Sequence, residues 1–91
     1  MSRIQISRNH SAGLEGARAA ADQIAQEMAD SFGVQSVWSG DELRFKHSAV
    51  RGQIFVSEVS IEVDARLGLL LVAMKPLLVT KINQYIDERL A

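Results

Sequence analysis

The sequence predicts an α+β domain of order β-α-β-β-β-β-α: a mostly antiparallel sheet with both helices on one face. Three observations carry that prediction. Residues 34–65 alternate apolar and polar side chains in short runs, the period of half-buried strands. Residues 12–32 repeat apolar side chains every three or four positions, the period of an amphipathic helix. The chain then enters a leucine-rich block, 67–79, and returns to helical spacing up to Leu90.

The elements follow in order. Ile4 and Ile6 alternate with Arg3, Gln5 and Ser7, which reads as a first strand. Asn9-His10-Ser11 breaks it, and Ser11 is placed to cap a helix over Ala12–Phe32. The apolar stripe of that helix is Leu14, Ala17, Ala21, Ile24, Ala25, Met28 and Phe32, and Gly33 stands where a left-handed C-cap belongs. Val34, Ser36 and Trp38 share one face of a second strand, and Gly40-Asp41-Glu42 is a turn signal. Leu43, Phe45 and His47 define a third strand, and Ala49-Val50-Arg51-Gly52 reads as the next turn. Ile54 and Val56 mark a fourth strand, Ser57-Glu58 a short turn. Val59, Ile61, Val63 and Ala65 mark the clearest strand. Such short connections favour a meander of antiparallel neighbours.

Gly68 ends the sheet and helix resumes near Leu69. Pro76 has no amide hydrogen and its ring clashes with the preceding turn, so a kink or break is expected there. Beyond it Leu78, Ile82, Tyr85, Ile86 and Leu90 form one apolar face. A long final helix across an antiparallel sheet is a reduced helix-grip-like arrangement.

Bulk properties narrow the function. Ninety-one residues make one domain, 1–91. A hydrophobic share of 47% and a charged share of 23% suit a folded globule rather than a disordered chain. A net charge of −1 argues against a nucleic-acid partner, whose phosphates need clustered Lys and Arg. The absence of cysteine removes thiol catalysis and the common structural zinc sites. The opening Met1–Arg8 reads as no signal peptide. The apolar block falls short of the roughly 20 residues a bilayer span needs. A cytoplasmic protein without a transmembrane segment is the expectation.

No catalytic signature emerges. His10 and His47, the two histidines, lie on different elements and do not make a metal set. His10 is expected to cap or face solvent, and His47 to sit at the core rim with one hydrogen bond. Glu62 and Asp64 alternate with apolar residues, which places them on the solvated face rather than in a converging acid-base pair. Arg3, Arg44 and Lys46 would form a small basic patch if the first and third strands were neighbours. Glu62 and Asp64 on the same face would offset it, so a solvated mixed-charge face is expected rather than an anion-binding site. Val37 and Phe55 fall on the solvated face as apolar exceptions. Catalytic residues, cofactors and metals are therefore assigned as none.

The 67–79 block is the strongest binding candidate, because a helix apolar all round is either buried all round or exposed. Leu69, Leu71, Val72 and Leu78 are its candidate binding residues. If they point outward they dock on a hydrophobic surface. If they line a cavity between sheet and C-terminal helix they hold an apolar or acyl ligand. The plain reading of the block is core plus a subunit interface. A dimer is expected from the leucines around this helix, and because a chain this short buries only about 60–65% of its unfolded surface.

The chain resembles the putative polyhydroxyalkanoic acid system family of small bacterial proteins over essentially its full length. The resemblance rests on Ile4-Gln5-Ile6-Ser7-Arg8-Asn9-His10-Ser11, the Arg18-containing helix ending Phe32-Gly33, Trp38-Ser39-Gly40-Asp41, and Leu43-Arg44-Phe45-Lys46. It continues through Val50-Arg51-Gly52-Gln53-Ile54-Phe55-Val56 and Val63-Asp64-Ala65-Arg66-Leu67-Gly68-Leu69-Leu70. Pro76 departs from the uninterrupted last helix of that family. The resemblance implies a place in bacterial polyhydroxyalkanoate storage, as an accessory protein at the granule surface or on a granule protein. It brings no catalytic residue.

Overall fold

The computed structural model describes residues 2–90, with the side chains of Ser2 and Leu70 left aside. Five strands form one antiparallel sheet: β1 (Ser2–Asn9), β2 (Gln35–Ser39), β3 (Glu42–His47), β4 (Val50–Val56) and β5 (Ser60–Leu67). Their spatial order is β1-β5-β4-β3-β2. Helix α1 (Gly13–Phe32) follows β1. A one-turn helix α2 (Leu69–Val72) and the last helix α3 (Lys75–Leu90) follow β5. The α+β order and the meander of β2 to β5 are as the periodicity predicts. β1 joins the meander at its far end, beside β5, so α1 carries the chain from one sheet edge to the other.

Both long helices lie on the same sheet face. Ala17, Ala20, Ala21, Ile24, Ala25 and Met28 of α1 are buried, as are Leu78, Ile82, Ile86 and Leu90 of α3. The four alanines give α1 a flat face that lets α3 pack close. The helices run antiparallel: Gly16 abuts Leu90, Gln23 accepts from Arg89, and Glu27 accepts from Lys81. From the sheet, Ile4, Leu43, Val50, Ile54, Ile61, Val63 and Leu67 complete one core. Those strand residues are separated by an even number of positions wherever they share a strand, which is the pleat turned into burial.

Several element boundaries differ from the sequence reading. Ser11 does not cap α1. Ala12 takes the N-cap position without a side-chain cap, and its amide donates to His10 Nδ1 at 3.1 Å. At the other end Gly33 is left-handed (φ 68°) and its amide reaches Ala29 O, as expected of a C-cap glycine. The β3–β4 turn is Ser48-Ala49, and Gly52 lies inside β4 rather than in a turn. A Cβ at Gly52 would stand 2.1 Å from Asp64 O and 2.6 Å from Ala65 Cα. Its glycine is therefore explained by close approach of the β5 backbone, a role that punctuation rules do not distinguish from a turn. Val59 precedes β5 and is exposed, because the Ser57 hydroxyl and carbonyl-linked turn extends to it.

The break at Pro76 is real and local. Proline cannot donate to Val72 O, and the helix stops there, resuming at Lys75. The junction is tied by Met74 N–H to Leu71 O and by Leu78 N–H to Met74 O. Pro76 thus occupies the first turn of α3, where its missing donor costs little.

Candidate functional site

The leucine-rich block divides by orientation. Leu71 and Leu78 are buried in the core at 8% and 3% exposure. Val72 is half-buried against the same core. Leu69, the first residue of α2, is 87% exposed. The four residues expected to act together are therefore not one surface: Pro76 resets the helical phase between α2 and α3, and Leu71 and Leu78 turn inward. Leu77, which the sequence reading did not single out, is half exposed. Its exposure follows from α3 burying every fourth residue from Leu78 onward.

The interior between sheet and helices is filled. The apolar void bounded by Ile4, Ile24, Met28, Phe45, Val63, Leu78 and their neighbours is about 10 Å³. A small-molecule pocket is typically 300 Å³ or more. The expected alternative of an acyl ligand under the C-terminal helix is thus at odds with the packing, in which the inward leucines close the space they were expected to line.

The histidines hold turns. His47 Nδ1 accepts the Ala49 amide at 3.0 Å across the β3–β4 turn, and His10 Nδ1 accepts the Ala12 amide at the start of α1. The proton of His10 is then on Nε2, which is buried and has no partner among the described residues. No group of three or more His, Cys, Asp or Glu is arranged to hold a metal among the described residues.

A polar clamp joins α1 to the β2–β3 hairpin. The Arg18 guanidinium lies over the Trp38 ring at 3.9 Å and donates to Gly40 O at 2.9 Å. Trp38 Nε1–H donates to Asp22 Oδ1 at 2.8 Å. These residues come from two of the segments that carry the resemblance, and they converge on a structural fastening.

On the opposite, helix-free face Arg3 binds Asp64 through two hydrogen bonds of 2.8 and 3.0 Å. Those bonds hold the Asp64 carboxyl below its ordinary range. Arg44 pairs with Glu42. The expected patch of Arg3, Arg44 and Lys46 does not form as conceived, because β5 and β4 lie between β1 and β3. Phe55 and Val37 are exposed on this face as predicted. Among the described residues no helix is long and apolar enough to cross a membrane.

The geometry defines a class: a small sheet-and-helix protein with a closed core, one bare sheet face and a protruding leucine, Leu69, at its corner. The chain belongs to the family described as putative polyhydroxyalkanoic acid system protein, whose family model matches residues 4–90. No curated protein matches the chain. No solved structure matches it.

Proposed function

We propose that the chain is a non-enzymatic accessory protein of the polyhydroxyalkanoate storage system that binds a hydrophobic surface. The observation that carries this reading is Leu69, a large aliphatic side chain left 87% exposed at the corner between sheet and helix. Family membership supplies the system. The filled interior supports an outward-facing mode, and the two histidines engaged in turns support a role other than catalysis. The target is the granule surface or a granule protein, reached from the cytoplasm. Weak self-association through Leu69 and Leu77 belongs to the same reading.

The test is fractionation of tagged protein between cytosol and purified polyester granules. Wild type is expected with the granules and Leu69→Asp in the cytosol, with unchanged circular dichroism. Granule recovery of Leu69→Asp equal to wild type would refute the docking role. An assay on hydroxyacyl thioesters and esters is expected to stay at background; turnover lost in His10→Ala or His47→Ala would overturn the non-enzymatic reading.

A further inference from the structure

The strand register aligns four cations in one row across the bare face. Arg3 pairs with Arg66, Arg66 with Arg51, and Arg51 with Lys46, on β1, β5, β4 and β3 in turn. All four are exposed. Strands lie about 4.8 Å apart, so the row is roughly 14 Å long. Like charges directly opposite one another destabilise a sheet. Arg3 is neutralised by Asp64, but Arg66, Arg51 and Lys46 form no salt bridge among the described residues. Asp64 also attracts Arg66 through space. Relief therefore falls on the β1–β5 end of the row, while Arg51 and Lys46 carry the repulsion with no salt bridge among the described residues.

The row is also where the molecule's charge is polarised. The bare face holds five cations (Arg3, Arg44, Lys46, Arg51, Arg66) against three carboxylates (Glu42, Glu62, Asp64). The rest of the chain holds five cations against eight carboxylates. Glu42 and Glu62 lie four residues along β3 and β5 from Lys46 and Arg66, about 13 Å toward the other end of the sheet. Between Arg3, Arg66 and Arg51 the surface dips into a depression of about 270 Å³, lined also by Gly52, Gln53 and the Asp64 carboxylate that pairs with Arg3.

Leu69 leaves the sheet at the same end. It follows Arg66 by three residues, and the Gly68 amide donates to Ala49 O at 2.8 Å, pinning the β5–α2 corner to the β3–β4 turn. A cation row and a protruding leucine thus share one end of the molecule.

We propose that this end docks on an anionic phospholipid surface, with Arg51, Arg66 and Lys46 among the headgroup phosphates and Leu69 in the acyl layer. The proposal rests on the docking role of Leu69 and names the chemistry of the surface it enters. A bare polyester would use the leucine and leave the cations unmatched. A free phosphate would fill the depression and leave the leucine in water. A nucleic acid would meet the carboxylates on the rest of the chain and gain nothing from Leu69. A layer of anionic headgroups over acyl chains matches both features.

The experiment is flotation of the full chain with three probes: phosphatidylcholine vesicles, phosphatidylcholine–phosphatidylglycerol vesicles, and lipid-free polyester particles. Binding is expected on the anionic vesicles and is expected to weaken as salt rises. Each cation removed should lower partitioning about fivefold, and Arg51→Gln with Arg66→Gln about thirtyfold. Lys46→Gln serves as an independent variant, and Leu69→Asp should weaken binding to the same vesicles. Glu62→Gln should leave it unchanged or stronger. Equal binding to both vesicle types, or indifference to the arginine pair, overturns the proposal. Displacement from vesicles by inorganic phosphate at constant ionic strength overturns it in favour of a free oxyanion, and retention on duplex DNA in favour of a nucleic acid. Granule or polyester binding without anionic-vesicle binding sinks the lipid reading and keeps the hydrophobic one. Vesicle binding with no affinity for granules does the reverse, and binding to none of them refutes both.

Discussion

Leu69 and Leu78 stand in one leucine-rich stretch and have opposite fates. Leu78 is packed among Ile4, Ile24 and Ile82, where truncation leaves a cavity that the sheet cannot close. Leu78→Ala is expected to cost about 2–5 kcal/mol in chemical denaturation. Leu69→Asp should stay within about 0.5 kcal/mol of wild type, since little is packed on that side chain. Periodicity could not separate the two, because the block is apolar at nearly every position and Pro76 resets its phase. Gly52 was misread for a related reason: a glycine at a turn and a glycine admitting a neighbouring backbone look alike in sequence. Gly52→Ala must displace the Asp64 carbonyl, and a loss of about 1–3 kcal/mol is expected from such overpacking. The carboxylates add a pH signature. A side-chain hydrogen bond from Arg3 lowers the Asp64 pKa, and one from Lys81, with a second from Tyr85, lowers that of Glu27. Groups depressed in the fold contribute fully above their ordinary values and lose that contribution as pH falls through the lowered ones. The melting temperature should therefore drop as pH falls below about 4.5, and Asp64→Asn with Glu27→Gln should flatten the slope.

At the scale of elements, strands with a solvated face were legible because alternation maps directly onto the pleat. Ile61, Val63 and Ala65 are all buried, with Glu62 exposed between Ile61 and Val63. The start of α1 was legible to within a residue, but its cap was not, because the His10 side chain takes the Ala12 amide in place of the expected serine cap. Nor did the sequence show that Arg18, Trp38 and Asp22 meet, since the contact depends on how α1 crosses the sheet. That clamp fixes the β2 edge, a five-residue strand paired on one side only. A double-mutant cycle of Arg18→Ala and Trp38→Leu should return a coupling of about 0.5–1 kcal/mol, as an exposed cation–π pair does. Amide exchange in β2 should quicken in either single variant while β5, central and covered, stays protected. Unchanged exchange in β2 would show that the hairpin holds without the clamp.

At the scale of the whole molecule, the position of β1 decides what the surface can do. The meander of β2 to β5 follows from short turns, but pairing β1 with β5 joins residues about 60 positions apart and is set by the path of α1. That pairing brings Arg3 into the cation row and leaves no strand between Arg66 and either neighbour. It also bears on self-association. Among the described residues the exposed large apolar side chains are Val37 and Phe55 on the bare face, Val59 at the β4–β5 turn, and Leu69 and Leu77 around the α2–α3 corner. They do not make the contiguous patch of a stable dimer, which buries about 1,200–2,000 Å² in total. With Leu71 and Leu78 committed to the core, Leu69 and Leu77 are the exposed anchors of the block among the described side chains. A weak, concentration-dependent dimer is therefore the expected state, with monomer dominating at low micromolar concentration. Sedimentation velocity over a concentration series should show the shift. The melting temperature should rise with concentration by mass action, and Leu77→Asp should hold the chain monomeric without lowering its stability at high dilution. A strict monomer at the highest concentration reached would refute self-association and leave Leu69 and Leu77 free for an external surface.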